Sequence, residues 1–180
     1  MERLGDWMQT YTGKMFWPLD PRVDEICIED IAHSLSHQCR FAGHTEAFYS
    51  VAQHSLLVSR QRPLSLALWG LLHDSTEAYL IDLPRPLKRG SEMGWHYKVI
   101  ENQLMEKICE RFGLPTEEPP EVKHYDNVLL STEQRDLMKK PPHPWFEREE
   151  PLPTKIHPLS PHEAELKFLH RFHELYDQSK

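Results

Sequence analysis

Between Leu64 and Tyr79 the chain is apolar on nearly every side of a helical projection, with Leu64, Leu66, Ala67, Leu68, Trp69, Leu71 and Leu72 in quick succession. The stretch is too long for an ordinary strand, and a helix that is apolar all round must be buried all round. It predicts a central helix on which the others pack. Its end is the harder constraint. His73-Asp74-Ser75-Thr76-Glu77 sets three ionisable groups straight after the apolar run, where burial is costly unless a cation offsets it. Helical neighbours lie about 100° apart, so His73 and Asp74 can converge from one turn, and Glu77 follows at i+4 and i+3 from them. The trio suits a divalent metal. It also suits an N-capping Asp with a solvent-facing Glu, and the pentapeptide alone does not choose.

The remaining signals are helical. Residues 1–22 mix aromatics, Gly13, Pro18 and Pro21, and read as an extended, turn-rich arm. Ile28, Ile31, Ala32 and Leu35 have helical spacing. Ser50-Val51-Ala52-Gln53 has the form of a capping box, opening a helix to about Arg60. The two prolines of Asp82-Leu83-Pro84-Arg85-Pro86-Leu87-Lys88 predict a stiff loop. A helix over about 95–112 buries Val99, Ile100, Leu104, Ile108 and Phe112 and stops at Gly113. Another, about 121–138, carries Val122, Tyr125, Val128, Leu129 and Leu137. Seven of the 15 prolines (Pro141, Pro142, Pro144, Pro151, Pro153, Pro158 and Pro161) fall close together, so residues 139–160 read as an extended surface segment. Ser160-Pro161-His162-Glu163 then restarts a helix with cap, N1 proline and capping Glu in order. Its apolar face is Ala164, Phe168, Leu169, Phe172 and Leu175. No strand signal is convincing. The expectation is an all-α, single compact helical bundle: a core over about 23–138, the Pro-rich segment 139–160 and a C-terminal helix over 161–176.

Composition narrows the partners. The 180 residues suit one core, since single cores serve chains up to roughly 250 residues. With 21 Lys and Arg against 28 Asp and Glu, the net charge of −7 argues against a protein that coats a nucleic-acid polymer. A small anion held by a few local cations remains compatible. Cys27, Cys39 and Cys109 are odd in number and widely spaced, as reduced thiols are. The first residues lack an apolar signal-peptide region and the longest apolar run, Leu66 to Leu72, is too short to span a bilayer. The expectation is a cytoplasmic protein, bacterial or in a phage-infected host, with no membrane partner.

His54 on the preceding helix and Asp126 on a later one complete an ordered set with His73-Asp74. This set resembles the H…HD…D signature of the HD-domain metal-dependent phosphohydrolase superfamily. Three local strings, Val51-Ala52-Gln53-His54-Ser55, His73-Asp74-Ser75-Thr76-Glu77-Ala78 and Asp82-Leu83-Pro84-Arg85-Pro86-Leu87-Lys88, are similar to its 5′-deoxynucleotidase branch. Cys39-Arg40-Phe41-Ala42-Gly43-His44 and the compact length are similar to small dATP triphosphohydrolases of bacteriophages and their bacterial relatives. The resemblance covers about residues 10–138. It implies that His54, His73, Asp74 and Asp126 ligate one divalent metal (Co, Mn, Zn, Fe or Mg). Glu77 would be the catalytic acidic residue and Asp82 a carboxylate able to help hold a second metal. Arg40, Lys88 and Lys123 would clamp phosphate; Lys123, three residues before Asp126, shares its helix face.

The implied reaction is hydrolysis of a purine deoxynucleotide, with dATP to deoxynucleoside and triphosphate preferred. The alternatives are a 5′-deoxynucleotidase acting on monophosphates and a non-catalytic nucleotide-binding module. A homo-oligomer, dimer or hexamer, is also implied. Other candidates read more plainly. His33 and His37 have i,i+4 spacing but no third ligand near them in the chain, which favours packing. Arg85 serves phosphate or simply fixes its loop, and His44 could touch substrate. His162, His170 and His173 fall on a polar helix face. Trp17, Phe41 and Trp69 could stack on a base, although Trp69 lies in the apolar run.

Overall fold

A computed structural model describes residues 3–61, 63–145 and 149–178, so 146–148 of the Pro-rich segment and residues 1 and 2 of the N-terminal arm lie outside the described residues. The fold is all-α apart from one small hairpin. The hairpin pairs β1 (Met8–Gln9) with β2 (Met15–Phe16), a strand pair the sequence did not announce because two-residue strands are too short to show alternation. Gly13, at φ +83°, makes its turn, and Asp30 pins that turn by accepting from Thr12 N–H at 2.7 Å and Thr12 Oγ1 at 3.0 Å.

Asp30 belongs to α1 (Ile28–His37). Next comes α2 (Val51–Val58), capped by Ser50, whose Oγ accepts from Gln53 N–H at 3.1 Å. Seven of its residues, Val51 to Leu56 and Val58, are buried, and it touches α1, α3, α7 and α8. The central position predicted for the apolar run is therefore held by α2.

That apolar run is not one helix. It is a 3₁₀ turn (Leu64–Leu66), α3 (Ala67–Leu72), a tightened turn, and α4 (Glu77–Leu80). Through the turn the backbone bonds shift to the i−3 carbonyl: Ser75 to Leu72, Glu77 to Asp74 and Ala78 to Ser75. Such tightening marks a local demand that overrides regular helix. Here it falls at His73 and Asp74. The expected stiff loop also differs, because α5 (Arg85–Gly90) forms within it. Pro86 stands in the first turn, where its missing N–H has no intrahelical acceptor to lose.

Helix α6 (Glu92–Phe112) begins three residues earlier than its pattern, capped by Ser91 Oγ on Gly94 N–H at 3.0 Å, and ends at Gly113, φ +71°. Val99, expected inside, is 39% exposed. Helix α7 (Pro120–Leu137) follows, then the irregular segment, then α8 (Pro161–Gln178). The segment is pinned rather than draped. Asp136 accepts from Ile156 N–H at 2.8 Å, Thr132 Oγ1 from Leu152 N–H at 2.9 Å, and Gln53 bridges His157 O and Leu159 N–H, each at 2.8 Å. The capping box of α8 is present, with Ser160 N–H on Glu163 at 3.0 Å. Ala164, Phe168 and Phe172 bury its face against α1 and α2. No helix is long and apolar enough to cross a membrane among the described residues.

Candidate metal centre

His54, fully buried on α2, stands at the heart of the cluster. Its Nδ1 lies 2.6 Å from Glu133 Oε1, a buried carboxylate on α7. His73, at the end of α3, sets its Nδ1 2.8 Å from Gly70 O. Carboxylate and carbonyl oxygens only accept, so each Nδ1 carries the hydrogen. A neutral imidazole has one N–H. Both Nε2 atoms therefore turn lone pairs to each other at 3.2 Å. Asp74 Oδ2 stands 3.2 Å from His73 Nε2 and 3.7 Å from His54 Nε2, and Asp126 Oδ1 stands 3.3 Å from His54 Nε2. Lone pairs this close require a positive charge among them. His54, His73 and Asp74 offer ligand atoms within 4.8 Å of one another, a group able to hold a metal ion. Two borderline nitrogens with one or two carboxylates suit a divalent transition metal. The tightened turn explains how neighbours 73 and 74 reach one point.

Without an ion, protons carry that charge. Burial lowers the His73 pKa, but the adjacent Asp74 and Asp126 carboxylates outweigh it and push the group up to about 9. His54 rises too: burial and Arg40 oppose the shift, and Glu133 with Asp126 prevails. Asp74 and Asp126 are held well below the usual carboxylate range by the two imidazoles despite their burial.

Glu77 behaves oppositely. Only 4% exposed, it is driven well above its ordinary pKa by burial and by repulsion from Asp74 and Asp82, with Lys88 and Arg40 opposing. Its Oε1 takes Lys88 Nζ at 3.1 Å, while its Oε2 is buried without a partner among the described residues. Asp82 is half-buried and its charge reaches Glu77 and Arg40, yet it stands outside the ligand group.

The cations ring this cluster. Arg40 Nη1 lies 3.4 Å from Asp74 and its Nη2 3.3 Å from Glu133. Lys123 Nζ reaches Asp126 at 2.7 Å, Arg85 reaches the same carboxylate at 3.5 Å, and Lys88 also holds Glu101 at 3.1 Å. Beside Arg40, Phe41 and Ala42 sit at φ 55° and 50°, left-handed values that non-glycine residues rarely take. Phe41 faces Trp145 at 6.0 Å. Trp69 is core, donating to Pro115 O at 2.9 Å, and Trp17 lies under Arg3 at 4.0 Å. His44 is exposed, and His170 pairs with Glu174 at 3.6 Å on the surface.

Two things escaped sequence reasoning. Glu133 receives His54, Arg40 and, at 2.9 Å, the Tyr49 hydroxyl. Its one signal is spacing: at i+7 from Asp126 it occupies the same face of α7. Glu165 comes beside His33 and His37 across the fold.

Fold and centre together define an all-α protein with a buried two-histidine, carboxylate-lined group competent for a metal ion. No protein-family model matches the chain. It is 41% identical to the uncharacterized protein YfdR of Escherichia coli over 177 residues, 97% of this chain and 98% of that one. An uncharacterized protein of Rhodobacter capsulatus is 37% identical over 126 residues, 65% of this chain and 63% of its own. The chain belongs to the YfdR family.

Proposed function

We propose that this protein is a metal-dependent phosphohydrolase of purine deoxynucleotides, with dATP triphosphohydrolase as the preferred activity. The observation that carries the reading is the pair of opposed Nε2 lone pairs at 3.2 Å, flanked by Asp74 and Asp126, with a protonatable buried glutamate close by. His54, His73, Asp74 and Asp126 would hold a divalent ion (Mn, Co, Fe, Zn or Mg), which would supply Lewis acidity toward water and a phosphoryl oxygen. Glu77, whose surroundings favour its protonated form, donates to the departing 5′-oxygen as water bonds to the α-phosphorus. Lys88 fixes the orientation of Glu77 by its 3.1 Å contact. Arg40, Arg85, Lys88 and Lys123, each paired with a carboxylate of the cluster, are the cations a phosphate would draw on. A 5′-deoxynucleotidase reaction on monophosphates would use the same groups; the Cys39–His44 stretch, similar to that of the small dATP triphosphohydrolases, is what favours the triphosphate. Three free thiols, two of them buried, fit a reducing cytoplasm, and assembly as a dimer or hexamer belongs to the same proposal.

The test is a product screen. Purified protein is incubated with each dNTP and dNMP under Mg, Mn, Co or Zn, and the products are separated. Deoxynucleoside with intact triphosphate is expected. Faster release from dAMP than from dATP would reverse the preference. Nucleotide binding without turnover of any substrate would leave a binding module and end the enzymatic reading.

A further inference from the structure

We propose that His33, His37 and Glu165 form a second transition-metal site, of zinc type, which clasps α1 to α8. His33 and His37 are one helical turn apart on α1 and share a face. Glu165 arrives from α8, 132 residues from His33, and one ligand atom of each residue lies within 4.8 Å of the others. Both Glu165 carboxylate oxygens stand 3.2 Å from His33 Nδ1. Ligands at zinc bond lengths in a tetrahedron are separated by about 3.4 Å, so this pair already has the required spacing.

The imidazoles are prepared rather than incidental. Tyr11 stacks on His33 with centroids 3.6 Å apart and planes within 6°, which fixes the ring. His37 Nδ1 donates to His33 O at 2.8 Å, which leaves its Nε2 as the lone-pair nitrogen, the arrangement typical of metal-bound histidine. Its ring lies against His33, centroids 4.2 Å apart, on the exposed side of α1. An ordinary ion pair between His33 and Glu165 has no use for that second nitrogen. Nitrogen donors select zinc-type ions over Mg or Ca. The side chains of His33 and Glu165 are 28% and 17% exposed, so a bound ion is partly shielded from water. His33 also borders a cavity of about 340 Å³ lined with Tyr11 and Asp30.

The site shares no residue with the centre around His54, and its occupancy is read separately. Equilibrium dialysis against Zn²⁺ gives zinc per chain. In a His73→Ala background, one equivalent is expected to remain, and adding His37→Ala or Glu165→Gln is expected to remove it. Zinc should raise the melting temperature of His73→Ala alone and not of the double variants. Should His73→Ala fail to fold, the wild type and His37→Ala are compared, and a difference of one zinc per chain is expected. Equal zinc content with and without His37 and Glu165, in either background, overturns the proposal. Loss of all zinc in folded His73→Ala alone overturns it equally, since the only zinc bound would then belong to the central site.

Discussion

Glu133→Gln isolates what holds His54. The carboxylate is 0% exposed and receives three donors: His54 Nδ1 at 2.6 Å and Tyr49 OH at 2.9 Å on one oxygen, Arg40 Nη2 at 3.3 Å on the other. An amide has the same shape but one accepting atom. With its oxygen toward His54 and Tyr49, its NH₂ faces the Arg40 guanidinium, donor against donor. Breaking a buried ion pair from one side costs about 3–5 kcal/mol. Arg40 retains Asp74 at 3.4 Å, which places the loss near the lower end. For a chain of this size, about 3 kcal/mol lowers the melting temperature by roughly 6–12 °C. If His54 ligates the proposed metal, removing the carboxylate that orients it should weaken metal binding by about 10–100-fold, or roughly 1.4–2.8 kcal/mol. The assays are a thermal melt and a Co²⁺ titration followed by visible absorbance. Tyr49→Phe is the control, since it removes one donor and leaves His54 on its carboxylate, so cobalt affinity should stay near the wild type. Wild-type melting and cobalt affinity in Glu133→Gln would refute the reasoning.

Ile81 sits at φ 72°, ψ 150°, a region essentially reserved for glycine, and is 64% exposed. Strain of about 1–3 kcal/mol less the entropy of an added glycine leaves Ile81→Gly more stable by about 0.5–2 kcal/mol in urea denaturation, and a fall in stability would count against that strain. Gly94→Ala places a methyl against the carbonyls of Leu87 and Lys88 where α6 crosses α5. It should cost about 1–3 kcal/mol and, by moving Lys88, lower the turnover proposed above; unchanged melting would contradict the close approach. Hydrogen bonds from Arg135, joined by Ile156 N–H, hold the Asp136 carboxyl below its ordinary 3.8. Its contribution is therefore full above that value and lost as pH falls through the lower folded one. The protection factor of the Ile156 amide, its exchange rate relative to the intrinsic rate at the same pH, should fall in acid, and Asp136→Asn should show the lower protection at pH 6.

The helices that announced themselves carry local chemistry: Ser50, Ser160 with Glu163, and Gly113 satisfy or stop a helix within four residues of chain. The break in the apolar run at His73–Thr76 cannot be seen in an apolar pattern, because over so few residues the 3₁₀ and α spacings bury the same positions. Helix α5 was hidden by reading Pro84 and Pro86 as breakers when one precedes the helix and the other falls in its first turn. At the centre, His73, Asp74 and Glu77 were legible as a trio from helix spacing. The other two ligand candidates came from a resemblance, and Glu133 from neither, since a buried mid-helix glutamate looks like any solvated one until its partners arrive from α2 and the Arg40 turn.

Those partners also bear on how an acidic chain, at −7, would take the anionic substrate proposed for it. Each cation around the centre is paired with a carboxylate belonging to the centre or its support: Arg40 with Asp74 and Glu133, Lys123 and Arg85 with Asp126, Lys88 with Glu77. Unpaired, such partly buried charges would be costly to keep in place. Paired, they are positioned but neutralised, and a phosphate must compete with Asp74 and Asp126 for them. On the proposed reading those two carboxylates are also the metal ligands, so metal and phosphate compete for opposite members of the same pairs. Each then makes the other easier to bind, and linkage requires the two enhancements to be equal. A non-hydrolysable dATP analogue bound with and without Mn²⁺ measures that factor. A factor near one would mean that the pairs stay closed and that the cations here serve the fold alone.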